Sequence, residues 1–377
     1  MAVYLDNAAK SKPKKEVLDV IVKSLHEDWY NPSSLYHPAQ EVKKKLEDAR
    51  SVIAKRVNCS PEEIIFTSSG SEANNLALRC YTNSENKAHF ILADPTSHKS
   101  VIKNNYYWSL EVDSNGVINL KSLESKLANT HNIQSYKIVS VCGANNEIGT
   151  IQPIKEISKL CHKHDIIFHV DAVQLIADKK IDVKELGIDL MSVSGSKIGC
   201  PSGIGFLYVK KGISVTPLIQ GEQEKSMRGG TENIPYILGL SKAVELLNYS
   251  KSNHLKSLRD YFINKLLILP NTYLIGANGN DRLSNNINIC FHGIEAESLL
   301  SYLNLYEIYA SGGSACNSKN LEASHVLKAI RLPEDDLHSC IRFSLNEDST
   351  VDELEEAFEV IQRFVIRQNF YNGGDAS

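Results

Sequence analysis

Lys197 sits in Met191–Gly205, MSVSGSKIGCPSGIG, between two runs of small residues that let backbone or a flat ligand approach closely. A lysine desolvated in such a place loses its proton and acts as an amine nucleophile that forms Schiff bases. A surface turn with a solvated lysine has the same local sequence. Upstream, Phe168-His169-Val170-Asp171 is an apolar run closed by a carboxylate. Burying that charge is costly unless a cation meets it. A protonated pyridine nitrogen is such a cation, and a helix cap is the other use of the residue. Ser68-Ser69-Gly70-Ser71-Glu72 follows a further apolar run and opens a helix. Free N–H groups there attract a phosphate, or the serines and Glu72 only cap the helix. Taken jointly, the lysine, the aspartate and the cup favour pyridoxal phosphate over three unrelated surface features. Cys316 lies in Ser311–Ser318, rich in glycine and serine, a composition of loops that carry function on rigid scaffolds.

Elements must hold these residues in place. Apolar strands are expected at Ile64–Thr67, His89–Leu92, Lys137–Val141, Ile166–Val170, Leu190–Val193 and Gly205–Val209. Helices at Ala73–Cys80, from His98, and at Ile154–His164 fall between them, after two amphipathic helices at Lys14–Trp29 and Pro38–Val57. Such alternation predicts an α/β fold with a mostly parallel, doubly wound sheet. Ligands of these sheets bind outside the carboxyl ends of the strands, where this chain carries Ser68–Ser71, Asn145-Asn146, Asp171 and Ser194–Lys197. Helices around Pro235–Leu247 and Leu255–Leu269 lead to a second region. Its strands are Asn286–Cys290, Ile308–Ala310 and Ile341–Ser344; its helices are Ala296–Leu303, Ala323–Ala329 and Val351–Arg367. We therefore expect residues 14–250 to form a large domain with a mostly parallel sheet flanked by helices. Residues 1–13 and 251–377 form a smaller α+β domain that carries the Cys316 loop.

A chain of 377 residues exceeds the size at which one core usually stops growing. A net charge of −4 offers no pull toward nucleic acid, and Lys43-Lys44-Lys45 is followed at once by Glu47 and Asp48, as on a solvated helix face. No run of eighteen apolar residues suggests a membrane span, and MAVYLDNAAKS lacks the regions of a signal peptide, so the expected location is cytoplasmic. The eight cysteines form no CxxC pair and no zinc-like spacing with histidine, so no metal is expected. Apart from Cys316 they read as small buried apolar residues.

As a set, Asn31-Pro32-Ser33-Ser34, Thr67–Asn75, Asn145-Asn146-Glu147-Ile148-Gly149, His169–Gln174, Ser194-Gly195-Ser196-Lys197, Arg228-Gly229-Gly230-Thr231 and Ser311-Gly312-Gly313-Ser314-Ala315-Cys316 resemble a known family. It is that of the pyridoxal-phosphate-dependent cysteine desulfurases, aminotransferase class V, fold type I, which implies a seven-stranded type of sheet flanked by helices in the large domain. The similarity runs from Tyr4-Leu5-Asp6-Asn7-Ala8-Ala9 to beyond Ile341-Arg342-Phe343-Ser344. It implies conversion of L-cysteine to L-alanine in a homodimer with a shared site. In that resemblance Lys197 holds the cofactor as a Schiff base and Asp171 pairs with its ring nitrogen. Gln174 and Asn146 address the ring hydroxyl side, Gly70, Ser71 and Ser194 take the phosphate, and Thr231 reaches it from the other subunit. His98 stacks on the ring and works as acid and base, while Asn31 and Arg342 hold the substrate carboxylate. Cys316 takes the sulfur as a persulfide and passes it to an acceptor protein for iron–sulfur cluster assembly or tRNA thiolation. Taken singly, Asn31 also suits a turn, His98 a core, and Arg342 a surface ion pair. Ser196 departs from the family, whose members usually carry histidine there; it keeps one hydrogen bond to the phosphate but no charge, a loss of about 1–3 kcal/mol. Ser97 stands where glutamate is common, and Lys10 where threonine is. Within the resemblance, the alternatives are a selenocysteine lyase, a desulfurase dedicated to a pathway such as DNA sulfur modification, and a non-catalytic relative.

Overall fold

The structure is a computed structural model that describes residues 2–79, 90–103, 107–128, 136–312 and 323–373. Cys316 and the rest of 313–322 lie outside the described residues, as does Cys80. The chain opens with β1 (Val3–Tyr4), α1 (Lys15–Glu27) and α2 (His37–Val57). Strands and helices then alternate: β2 (Ile64–Thr67), α3 (Gly70–Ala77), β3 (Phe90–Ala93), α4 (Lys99–Ile102), β4 (Tyr107–Ser109), α5 (Leu120–Ala128) and β5 (Tyr136–Cys142). After these come α6 (Ile154–Lys163), β6 (Ile167–Asp171), α7 (Leu175–Asp178), β7 (Leu190–Ser194) and β8 (Gly205–Val209).

These eight-residue-or-shorter strands build one sheet in the order β2-β8-β7-β6-β5-β3-β4. From β7 to β4 all neighbours are parallel, as the alternation predicts. The exception is β8, antiparallel to both β7 and β2. Residues 195–204 are too few for the helical crossover that a parallel return needs, so the chain turns straight back. Every residue of β6, β7 and β8 is buried, which explains their unbroken apolar runs. Phe168, Met191 and Phe206 pack with Val17, Ile53 and Leu240 on one side. Leu190 and Leu207 pack with Ala73 and Leu76 on the other.

After α8 (Ile234–Glu245) the chain forms α9 (Ser252–Leu266), β9 (Thr272–Leu274), β10 (Asn286–Phe291), α10 (Ala296–Leu305), β11 (Ile308–Tyr309) and β12 (Ser311–Gly312). It closes with α11 (His325–Ala329), β13 (Cys340–Ser344) and α12 (Val351–Gly373). A four-stranded antiparallel sheet, β12-β13-β10-β9, has its own core of Phe262, Leu299, Phe343 and Ile361. The expected strand Ile308–Ala310 is divided. Its first part pairs in parallel with β1, Val3 opposite Ile308, and the following residues Ser311 and Gly312 join β13.

Candidate active site

Asp171 ends β6 beside β7, and Lys197 closes the short 3-10 turn that follows β7. The aspartate is only 4% exposed. Its Oδ2 accepts from Asn74 Nδ2 at 2.7 Å and its Oδ1 from Val173 N at 3.1 Å. Burial pushes this carboxyl up; the bonds from Asn74 and Val173 and the charges of His98 and Lys197 oppose it. The charges of Lys197 and His98 therefore both act on this one carboxylate.

Asn74 also donates to Ser100 Oγ at 2.9 Å, and Ser100 meets His98 Nδ1 through its hydroxyl at 2.8 Å and its N–H at 3.1 Å. One line of bonds thus runs from Asp171 through Asn74 and Ser100 to His98. With Nδ1 accepting, neutral His98 carries its proton on Nε2, an assignment made from the network. His98 is exposed at the N-cap of α4 rather than buried in the core. Asn74 was not singled out by the sequence: an asparagine inside a helix looks like any polar residue.

At the start of α3, Ser69 caps the helix by accepting from Glu72 N at 3.1 Å, and Ser68 N donates to Glu72 Oε2 at 2.7 Å. The capping reading is therefore right, and it leaves the N–H groups of Gly70 and Ser71 in the first turn, where helices have no internal partner for them. A Cβ on Gly70 would lie 2.6 Å from Val173 Cγ2 and 3.3 Å from Ser194 Cβ, so only glycine lets this helix end meet the strand ends. Ser194 Oγ lies 3.1 Å from Ser196 Oγ, which brings both hydroxyls to the cup. Thr231 is exposed on a cleft that Ser68 and Arg228 also line; Arg228 Nε donates to Glu72 at 3.0 Å.

Arg342, on β13, is 7% exposed and so is no surface group. Its Nη2 pairs with Asp6 Oδ1 at 2.6 Å and its Nη1 donates to Asn146 O at 3.1 Å. Its Nε has no partner among the described residues. It is the backbone of Asn146 that reaches the arginine. The next residues of the same N-terminal segment continue the bridge: Asn7 Nδ2 donates to Ser344 O at 2.9 Å and Gln174 Nε2 to Ala8 O at 2.9 Å. Lys197 Nζ donates to Ala9 O. Asp6–Ala9 thereby joins Arg342 to Gln174 and Lys197. Asn31 is different: it is exposed, and its Oδ1 accepts from Ser33 N at 2.9 Å, the turn that its sequence also allows.

Two further groups face this region. Glu147 is buried, and burial pushes its carboxyl up to about 7 against the bond from Ser324 and the charges of Arg342 and Lys99. His325 is held by a bond to Ser97 O, and burial lowers its affinity for a proton. Among the described residues no group of three or more His, Cys, Asp or Glu side chains is placed to hold a metal, and no helix is long and apolar enough to cross a membrane. The described cysteines are free and, except for half-buried Cys59, buried.

The aminotransferase class-V family matches residues 3–357 of the chain. The curated cysteine desulfurase IscS of Dictyoglomus turgidum is 40% identical over 377 aligned residues, covering 96% of this chain and 94% of the relative. A solved NifS-like protein superposes with a TM-score of 0.88 at 31% identity, over 97% of this chain and 99% of that one. The structure of SspA in complex with cysteine has a TM-score of 0.79 at 30% identity, over 92% of this chain and all of the other (100%).

Proposed function

Because the chain belongs to the aminotransferase class-V family and is a cysteine desulfurase, we propose that it converts L-cysteine to L-alanine as a pyridoxal-phosphate-dependent homodimer and passes the sulfur through Cys316 to an acceptor protein. The residues present fit the cofactor. Asp171 is a buried carboxylate whose hydrogen bonds among the described residues come from the neutral donors Asn74 and Val173, which suits a protonated ring nitrogen. Gly70 lets the N-terminus of α3 pack directly against Val173 and Ser194, where a Cβ would clash, and its first-turn N–H groups suit a phosphate. Lys197, Asp171, Gln174, Asn146, Gly70, Ser71, Ser194 and Ser196 would hold the group, with Thr231 supplied by a second copy of the chain. When bound, pyridoxal phosphate supplies the electron sink that lets the hydrogen on the substrate α-carbon leave as a proton.

The chain supplies the rest. Arg342 receives the substrate carboxylate, its Nε being unpartnered among the described residues and its Nη2 steadied by Asp6; Asn31 assists. Lys197 takes the α-proton as an amine. His98, oriented through Ser100 and Asn74, delivers and removes protons at Nε2. The Cys316 thiolate attacks the substrate sulfur; the S–S bond forms as the C–S bond breaks, the electron pair stays on the substrate carbon, and a proton delivered there together with the α-proton returned by Lys197 completes alanine. The resulting persulfide is handed on in the cytoplasm, for iron–sulfur cluster assembly or tRNA thiolation. Residues 14–250 act as the large domain, and 1–13 with 251–377 as the small one.

The observation that supports this reading most is the bond line from Asp171 to His98 beside Lys197. Cys316→Ala tests it. The purified variant is expected to keep the visible absorbance of the bound cofactor and to lose sulfide release from L-cysteine. Full turnover in the variant would refute the mechanism.

A further inference from the structure

Ser324 and His325 fasten the start of α11 to two different loops of the site. Ser324 Oγ accepts from Val326 N at 3.1 Å and Leu327 N at 3.4 Å, capping the helix, and donates its own hydrogen to Glu147 Oε2 at 2.8 Å. His325 Nε2 donates to Ser97 O at 2.9 Å, the carbonyl just before His98. Glu147 in turn follows Asn146, whose carbonyl accepts from Arg342 Nη1. On the other side of Cys316, Ser311 stands opposite Arg342 in the pairing of β12 with β13. The described residues on either side of the cysteine stretch therefore both lead to Arg342, Ser311 by strand register and Ser324 through Glu147.

A carboxyl group is a costly way to fill a buried position. Glu147 is 8% exposed, and its Oε1 has no partner among the described residues. Its main-chain carbonyl is itself held, by Asn288 Nδ2 at 3.0 Å and Asn286 Nδ2 at 3.2 Å, so the side chain is not needed to fix its own loop.

We propose that Glu147 is a positioning residue for sulfur transfer: acting through Ser324, its carboxyl group keeps the chain that returns from Cys316 at a set spacing from Arg342. The inference rests on the reading of Cys316 as the sulfur-accepting thiol. Among the described residues, Arg342, Lys99, Ser324 and, on the same strand as Arg342, Cys340 are the polar and titratable groups that act on the carboxyl. Arg342 is thus sensed from two directions: it takes the substrate carboxylate, and its charge acts on the group that holds Ser324.

The test compares Glu147→Ala, Ser324→Ala, the double variant and Glu147→Gln as full-length holoenzymes, with rates normalised to bound cofactor. Small misplacements of reacting groups lower the chemical step steeply, so Glu147→Ala and Ser324→Ala are each expected to lower kcat about tenfold with KM for L-cysteine unchanged. The double variant is expected to match the worse single variant, because the two residues act as one unit. Glu147→Gln keeps an oxygen that accepts from Ser324 and is expected to stay within about threefold of the parent. Alkylation of Cys316 by iodoacetamide, read by mass spectrometry without turnover, is expected to change in Glu147→Ala and not in Glu147→Gln. Single variants with kcat within twofold of the parent, or losses that multiply in the double variant, would overturn the proposal. So would a fall in kcat that only follows lost cofactor. If Glu147→Ala does not fold, Ser324→Ala and Glu147→Gln decide the matter by the same limits. Cys316→Ala, run alongside, separates the two ideas: turnover surviving there sinks the cysteine reading, whereas its loss together with unaffected Glu147 and Ser324 variants sinks only the positioning role.

Discussion

Replacing Glu224 by alanine is expected to cost about 3–5 kcal/mol of stability, the usual consequence of leaving a buried charge without its partner. Arg50, 4% exposed on α2, gives Nη1 to Glu224 Oε2 at 2.8 Å and Nη2 to Oε1 at 2.9 Å, and Glu224 is 6% exposed. Burial pulls the guanidinium down, and the bonds and charges of Glu224 and, to a lesser degree, Glu47 together more than offset it, so Arg50 ends above its ordinary value. Without Glu224 the guanidinium retains Ile64 O at 2.7 Å, the half-exposed Glu47 at 3.2 Å and the face of Phe66, 4.7 Å from the ring centre. Phe66 N also loses its acceptor, Glu224 Oε2 at 2.8 Å. A second effect concerns the backbone. Glu224, Lys225 and Ser226 have φ values of 45°, 58° and 62°, three successive non-glycine residues in the left-handed region. Such residues cost roughly 1–3 kcal/mol each and persist only where their surroundings hold them. Freed of Arg50, the segment relaxes and carries Arg228 and Thr231 with it. The assay is urea unfolding of the cofactor-free protein, set beside cofactor retention in the holoenzyme. Arg50→Met with Glu224→Leu is expected to recover most of the stability, since apolar replacement of the whole pair removes the stranded charge. A loss below 1 kcal/mol in Glu224→Ala, or a double variant no better than the single, would refute the reasoning.

Asn74→Ala removes a donor to Asp171 and the link to Ser100; cofactor retention on gel filtration, read by absorbance, is expected to weaken about tenfold, with folding intact. Gly70→Ala places a methyl 2.6 Å from Val173 Cγ2 and is expected to lower affinity for the phosphorylated cofactor well below that for the unphosphorylated aldehyde; equal losses would count against the phosphate cup. Burial raises Asp94 to about 6 and Glu147 to about 7. The folded chain then holds these protons more tightly than the unfolded one, so the stability they give is full below about pH 4 and is lost as pH rises through 6 to 7, on the order of 3 kcal/mol each. Comparing urea midpoints of Asp94→Asn and the parent between pH 5 and 8 is expected to show a flatter profile for the variant; parallel profiles would contradict it.

The legible part of the chain was that in which chemistry and local pattern coincide. Lys197, Asp171 and Gly70 each stand at the end of an apolar run, and the strand–helix alternation placed those ends on one edge of a sheet. The direction of β8 was not legible, because a fully buried strand such as Gly205–Val209 has the same composition in either direction; only the short connection from β7 decides it. Leu120, Leu123 and Leu127 repeat at helical spacing in α5, a signal too short to stand out beside the longer helices. Asp6 and Ser324 were missed for a different reason. Their partners Arg342 and Glu147 lie 336 and 177 residues away, and no local pattern encodes such pairings. The residues that do chemistry were visible by type, whereas those that hold them were visible only in three dimensions.

The N-terminal bridge has a consequence for how the protein is made. Val3 and Leu5 bond to Glu307 and Tyr309, and Asp6 and Asn7 to Arg342 and Ser344, so residues 3–7 wait for their partners until residues 307–344 have been made. At roughly 5–20 residues per second the wait is on the order of tens of seconds. The carbonyls of Ala8 and Ala9 reach Gln174 and Lys197 from that same segment. A nascent chain therefore carries its reactive lysine without the contacts that finish its setting from the time residue 197 is made until residues 307–344 arrive.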